Sequence, residues 1–207
     1  MDPHCGLCYA NERSIKDIAD YFKSDYDFEV LSGGMWKGDN AKRGGESMYD
    51  FLLPSIIRIN QFHNVEIAGS YIDLIKDSTY FLSSEWPSRA ISSIKKMNEE
   101  KALVFSYKLM KQQFLYGKRY DIEKTYIEVI EEMGLNRNEF LRLWKSEEIG
   151  KETLEMFNKA ENMSKGYPSL ILQNEDGFKI IKEGIFSAGE AINKIENKRL
   201  VFKNISN

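Results

Sequence analysis

Cysteine, histidine and proline are scarce in this chain: two, two and four among 207 residues. The cysteines form a single Cys-x-x-Cys, Cys5 and Cys8, so none remain for structural bridges and a disulfide-stapled framework is excluded. A tetrahedral zinc site is equally hard to assemble, because only His4 and His63 could add nitrogen ligands and His4 adjoins Cys5. Charge of one sign is not in excess either. The 29 basic and 32 acidic residues leave a formal net charge of −3, which gives no electrostatic case for nucleic acid or an anionic membrane as partner. No stretch reaches the ~18 consecutive apolar residues of a membrane span. The N-terminus carries no basic segment followed by an apolar one, so no secretory signal is expected in the sequence as given. Together with the cysteine usage, this predicts a cytoplasmic protein.

Hydrophobic content of 42% and charged content of 29% suit a soluble domain with one core, or a core plus a subdomain. Ile15, Ile18, Ala19 and Phe22 recur at helical spacing and predict a helix over 9–23. Residues 26–32 alternate apolar or aromatic with acidic residues and predict a strand ended by Gly33 and Gly34. From about 46 to 163 every pattern is helical. Ala90, Ile91, Ile94 and Met97 make one stripe. Ile122, Tyr126, Ile127, Ile130 and Met133 make a second, and Phe140, Leu141 and Trp144 a third. Pro54 and Pro87 are expected at bends or helix starts, and Gly134 at a stop. Strand character returns at Ser169–Leu172 and Phe178–Ile181, two runs around an Asp-Gly turn that read as a hairpin. Ala188, Ala191, Ile192 and Ile195 predict a closing helix.

The chemistry of the chain centres on its cysteine pair. When the second cysteine lies on the first turn of a helix, the first sits at the helix N-terminus, where unpaired N–H groups and the dipole favour an anion. A thiolate is both nucleophile and leaving group in disulfide exchange, so this position activates it. A helix terminus supplies up to ~2 kcal/mol, roughly one to one and a half pKa units. A further drop would need N–H···S bonds or a protonated His4. The expected roles are Cys5 as attacking thiol and Cys8 as shielded resolving thiol.

The segment Asp2-Pro3-His4-Cys5-Gly6-Leu7-Cys8-Tyr9 resembles the active-site stretch of the DsbA family, in particular its cytosolic FrnE-like branch. The resemblance continues through Gly33-Gly34-Met35-Trp36, through Ser84 to Ala90, and into Gly166-Tyr167-Pro168-Ser169-Leu170. It implies an α/β, thioredoxin-like fold with a large all-helical insertion. The thioredoxin-like domain would comprise 1–45 and 164–207, with 46–163 as the inserted helical domain. It also implies that Pro168 is cis, and that Tyr167 and Pro168 bind substrate beside the sulfurs, as an added strand would be bound. The family has a central strand immediately before its Asp-Pro, where this sequence starts. The first strand is therefore expected to be missing here, leaving Ser169–Leu172, apolar on both faces, short of one neighbour.

The expected activity is that of a thiol–disulfide oxidoreductase or isomerase acting on protein or small-molecule disulfides. It would need no metal or organic cofactor, with glutathione as a candidate co-substrate. His4 is a candidate modulator, either stabilising the Cys5 thiolate or sitting solvated in a loop. Gly6 and Leu7 carry no charge, which predicts a less strongly oxidising site than a histidine in that dipeptide would give. Trp36 and Trp86 could line a groove or pack in a core, Glu85 and Arg89 fit a helical ion pair, and His63 is expected to be structural or exposed. Two alternatives remain open. One is a non-catalytic adaptor of the kind that delivers proteins to the ClpXP protease, which should tolerate loss of Cys5. The other is a glutathione-dependent isomerase or kappa-class glutathione transferase, which the complete cysteine pair disfavours.

Overall fold

The computed structural model describes residues 1–62, 65–175 and 177–205, by backbone alone at 62 and from 198 onward. His63 and Asp176, the latter part of the expected hairpin turn, lie outside the described residues. The chain opens on a turn in which Cys5 N–H donates to Asp2 O at 3.0 Å. Asp2 and Pro3 occupy the two turn positions they favour. Helix α1 (Gly6–Ala10) follows at once, then α2 (Glu12–Phe22). The single helix expected over 9–23 is thus two. Buried Asn11 divides them, and its amide is spent on a distant loop: Nδ2 donates to Gly184 O at 2.9 Å and Oδ1 accepts from Phe186 N–H at 3.2 Å. Ile18 and Phe22 of α2 are buried in a cluster with Ile181, Phe186, Ala191 and Ile195.

The strand expected at 26–32 is extended chain without a ladder. A strand requires a paired neighbour, and this segment has ladder-type contacts with Met1: the Met1 nitrogen donates to Leu31 O at 2.8 Å, and Gly33 N–H donates to Met1 O at 2.6 Å. That pattern is one step of parallel pairing. Two short strands, β1 (Lys42–Arg43) and β2 (Phe81–Leu82), pair antiparallel, so the stretch from 46 to 163 is not purely helical. Two residues per strand are too few to show a period of two in sequence.

Between and beyond them run α3 (Glu46–Phe62), α4 (Gly69–Lys76), α5 (Glu85–Met97), α6 (Ala102–Phe114), α7 (Glu123–Glu132), α8 (Arg137–Trp144) and α9 (Glu147–Met163). Their boundaries follow local chemistry. Asn136 and Ser146 cap α8 and α9 through hydrogen bonds from Glu139 N–H and Ile149 N–H. Gly134, at φ +62°, ends the turn after α7. Pro87 lies in the first turn of α5, where its missing N–H costs nothing, whereas Pro54 lies inside α3. The stripes are buried at Ala90, Ile91, Ile94, Tyr126, Ile127, Ile130, Phe140 and Trp144 and only half-buried at Met97, Met133 and Leu141, while Ile122 precedes α7 and is 48% exposed.

The chain closes with β3 (Ser169–Asn174), β4 (Gly177–Glu183) and α10 (Ala188–Ile205). Among the described residues β3 pairs only with β4. Its other side borders a cavity of about 440 Å3, whose lining includes residues 26–31 of the extended segment, with Phe22, Ile181 and Ile195. Leu170, Ile171 and Leu172 are therefore half-buried rather than interior. On the far flank Glu29 is held by Lys95 at 2.8 Å and Lys159 at 2.6 Å, joining the extended segment to α5 and α9.

The cavity is lined by both β3 and the segment 26–31, the two neighbours that a further strand would need. An engineered apolar, β-forming segment of about six residues placed ahead of Met1 is expected to stabilise the protein by about 2 kcal/mol, raising the thermal midpoint by roughly 4–8 °C. A calorimetric scan checks this. An unchanged midpoint would show that the cavity does not accept a strand.

Candidate active site

Cys5 occupies the N-cap of α1 with extended backbone, φ −85° and ψ 107°. Its sulfur does what a serine hydroxyl does at an N-cap, accepting Cys8 N–H at 3.3 Å. Both cysteines are free thiols, with Cys5 8% exposed and Cys8 fully buried. The structure thus leaves a little exposed surface on the first cysteine and none on the second, within a single turn.

Electrostatics separate them further. The Cys8 side chain hydrogen-bonds the Cys5 sulfur and holds its pKa below the usual thiol value, against the opposing effect of burial; the Cys8 backbone N–H adds to the lowering. The nearby Asp2 carboxylate works the other way. Burial pushes the Cys8 thiol well up, and its donated hydrogen bond to Cys5 adds to that. The two shifts run in opposite directions, so Cys5 is the more readily ionised thiol and Cys8 the less.

Across the fold, the Tyr167–Pro168 peptide is cis, and the Tyr167 carbonyl faces the Cys5 sulfur at 3.8 Å. The approach spans 162 positions of sequence. Burial pushes the Tyr167 phenol up to about 12, so it is neutral at ordinary pH. Behind the sulfurs stands a wall from the helical insertion. Ile59 of α3, Tyr71 of α4, and Tyr107 and Phe114 of α6 share one buried cluster with Cys5 and Cys8. Gly6 permits this wall to close in, since a Cβ there would lie 3.0 Å from the Ile59 methyl.

His4 is neither solvated nor a cation. It is buried against Trp36 and Tyr120, with ring centroids 5.1 Å away in each case, and burial lowers its pKa despite the opposing pull of Asp2. A neutral imidazole whose Nε2 donates to Ser83 O at 3.1 Å is a latch between the active-site turn and the chain ahead of α5. It supplies no charge to the thiolate. Trp36 is core. Trp86 is half-exposed, stacked edge-on with Trp144 and under the Arg89 guanidinium. Arg89 pairs with Glu85 at 3.7 Å and also binds the carbonyls of Trp144 and Ser146, so it ties α5 to the α8–α9 junction. Among the described residues no cluster of three or more His, Cys, Asp or Glu could hold a metal, and no helix is long and apolar enough to cross a membrane.

Asp2 is the residue that sequence reasoning passed over. Fully buried, it accepts from His4 N–H and Met35 N–H, both at 2.9 Å. It thereby clamps the cysteine turn to the chain after Gly34. Its acceptance from the residue two ahead is the familiar habit of Asp in turns and could have been read from Asp2-Pro3-His4.

Two outcomes follow from these charges. Cys8→Ala removes the thiol donor but keeps the backbone N–H, so the Cys5 pKa should rise; the pH profile of alkylation should move to higher pH, and a downward move would refute the assignment. His4 has a folded-state pKa below its unfolded value near 6.5, so the unfolded chain binds the extra proton. Stability should therefore fall as pH drops below about 6.5, by at most about 1.4 kcal/mol per pH unit. Urea titrations between about pH 6.5 and 5, above the main carboxylate range, should show that slope reduced in His4→Gln.

No protein-family model and no curated protein sequence matches the chain. Solved structures do. A candidate protein disulfide isomerase from Nitrosomonas europaea superimposes with a TM-score of 0.84 at 14% identity, covering 95% of this chain and 93% of that one. The cytosolic disulfide reductase DsbM from Pseudomonas aeruginosa gives a TM-score of 0.78 at 16% identity, covering 97% and 95%. The same protein with GSH gives 0.79 at 18%, covering 97% and 96%. At these identities the likeness is one of fold: the chain has a DsbA-like architecture, a thioredoxin-type frame carrying a large helical insertion.

Proposed function

We propose that this protein is a thiol–disulfide oxidoreductase in which Cys5 attacks and Cys8 resolves. The observation that carries the reading is the asymmetry of the pair. Cys5 keeps 8% of its surface exposed, and its sulfur accepts Cys8 N–H at 3.3 Å and faces the Tyr167 carbonyl, while Cys8 is fully buried. In the reducing direction the Cys5 thiolate attacks one sulfur of a substrate disulfide. A mixed disulfide forms, and the other substrate sulfur leaves as thiolate and takes up a proton. Cys8 then loses its proton and attacks the Cys5 sulfur, releasing the second substrate thiol and closing a Cys5–Cys8 disulfide. Two electrons pass from protein to substrate, and two molecules of a thiol such as glutathione return them and leave as one disulfide.

Tyr167 and Pro168 set a backbone carbonyl beside Cys5 just ahead of β3, which supports a peptide laid alongside as a strand. DsbM is described with GSH, which supports a glutathione-type thiol as the partner that resets the pair. A disulfide-bearing protein or peptide in a cytosolic setting is the substrate class in keeping with this site.

Insulin reduction and glutathione-disulfide exchange test the proposal. Cys5→Ser should lower either rate by at least about a hundredfold, since the nucleophile itself is lost. Cys8→Ser should accumulate a mixed disulfide at Cys5, visible by mass spectrometry. Undiminished function in Cys5→Ser would leave an adaptor role as the reading.

A further inference from the structure

Gly33 ends the extended segment, is buried, and donates its N–H to Met1 O at 2.6 Å. Its φ is not positive, so the backbone itself would accept any L residue. What requires glycine here is a contact. A Cβ built on Gly33 would lie 2.1 Å from Tyr167 Cζ, 2.2 Å from its Oη and 2.3 Å from its Cε1. The Tyr167 ring thus rests on the bare Cα of Gly33. On its other side the same loop is held by serine hydroxyls: Ser164 Oγ and Ser169 Oγ donate to Gly166 O at 3.0 and 2.8 Å. The loop carrying the Tyr167 carbonyl is anchored on both flanks, by hydroxyls at Gly166 and by the ring seat at Gly33.

We infer that Gly33 is a positioning residue: by seating the Tyr167 ring it fixes the Tyr167–Pro168 backbone opposite the Cys5 sulfur. Any side chain at Gly33 displaces the ring, and the ring is joined directly to the peptide that faces the sulfur. The inference deepens the proposed oxidoreductase reading, on which it rests for the meaning of that edge as the place where substrate lies. Neighbouring Gly34 has a different role, since its Cβ would meet Lys37 and Phe157 rather than Tyr167.

A double-mutant cycle tests it. Gly33→Ala should raise KM for a peptide disulfide roughly tenfold while changing the reaction of a small aromatic disulfide with Cys5 less than about threefold, because only the peptide needs the aligned edge. In a Tyr167→Ala background, adding Gly33→Ala should change neither quantity. Equal losses from Gly33→Ala with and without the Tyr167 ring would overturn the inference, as would a Gly33→Ala variant indistinguishable from the parent. Should Gly33→Ala alone not fold, a folded double variant matching Tyr167→Ala supports the seat, and an unfolded one refutes it. If the parent protein turns over no disulfide at all, the oxidoreductase reading fails. The thermal midpoints of the same four proteins then decide the Gly33–Tyr167 coupling: Gly33→Ala should lower the midpoint in the parent and leave it unchanged in the Tyr167→Ala background, and equal losses in both would overturn the inference.

Discussion

The hydrogen bond from Cys8 N–H to the Cys5 sulfur organises the site. It makes a cysteine serve as the cap of α1, which aims the sulfur at the open end of the helix and forces the second cysteine into the first turn. From that single placement come the residual exposure of one cysteine, the complete burial of the other, and the opposite directions of their pKa shifts. The turn before the cap is itself clamped, because Asp2 accepts two backbone N–H groups and His4 latches onto Ser83. A buried carboxylate in such a position is tolerated only when its oxygens are satisfied, as they are here.

The helical insertion is part of the site as well as a lobe beside it. The cluster that buries Cys8 draws on α1 and on α3, α4 and α6 alike. The desolvation that keeps Cys8 protonated therefore depends on residues from Ile59 to Phe114. The ion pairs joining the insertion to the extended segment lie at the surface, where each contributes at most about 1 kcal/mol. Packing around the cysteines, with whole aromatic side chains withdrawn from water, is the larger contribution.

The sheet is less complete than its sequence pattern suggests. Ser169–Leu172 is apolar on both faces, as suits a strand enclosed on both sides, yet only β4 pairs with it among the described residues. The segment 26–31 stands across a cavity from it, and Met1 makes one step of parallel pairing at the end of that segment. Periodicity reported how the strand expects to be covered. It could not report which neighbour stands beside it.

Local chemistry was legible in the sequence because it acts over one or two turns. The Cys-x-x-Cys at a helix start, the hairpin, the helical stripes and the glycine stop at Gly134 all depend on neighbours within about four residues. Four things depended on the tertiary structure. Asn11 splits the first helix because its partners, Gly184 and Phe186, are remote in sequence. Residues 26–32 fail as a strand for want of a ladder, whatever their alternation. His4 is neutral because Trp36, Tyr120 and the insertion remove it from water, and no residue type announces its own burial. The meeting of Tyr167 with both Gly33 and Cys5 joins three distant points of the chain. The sequence alone determined which atoms could do disulfide chemistry. Only the folded packing decided which cysteine keeps some exposure, which ionises more readily and which backbone faces it, because burial and long-range approach are properties of the assembled core.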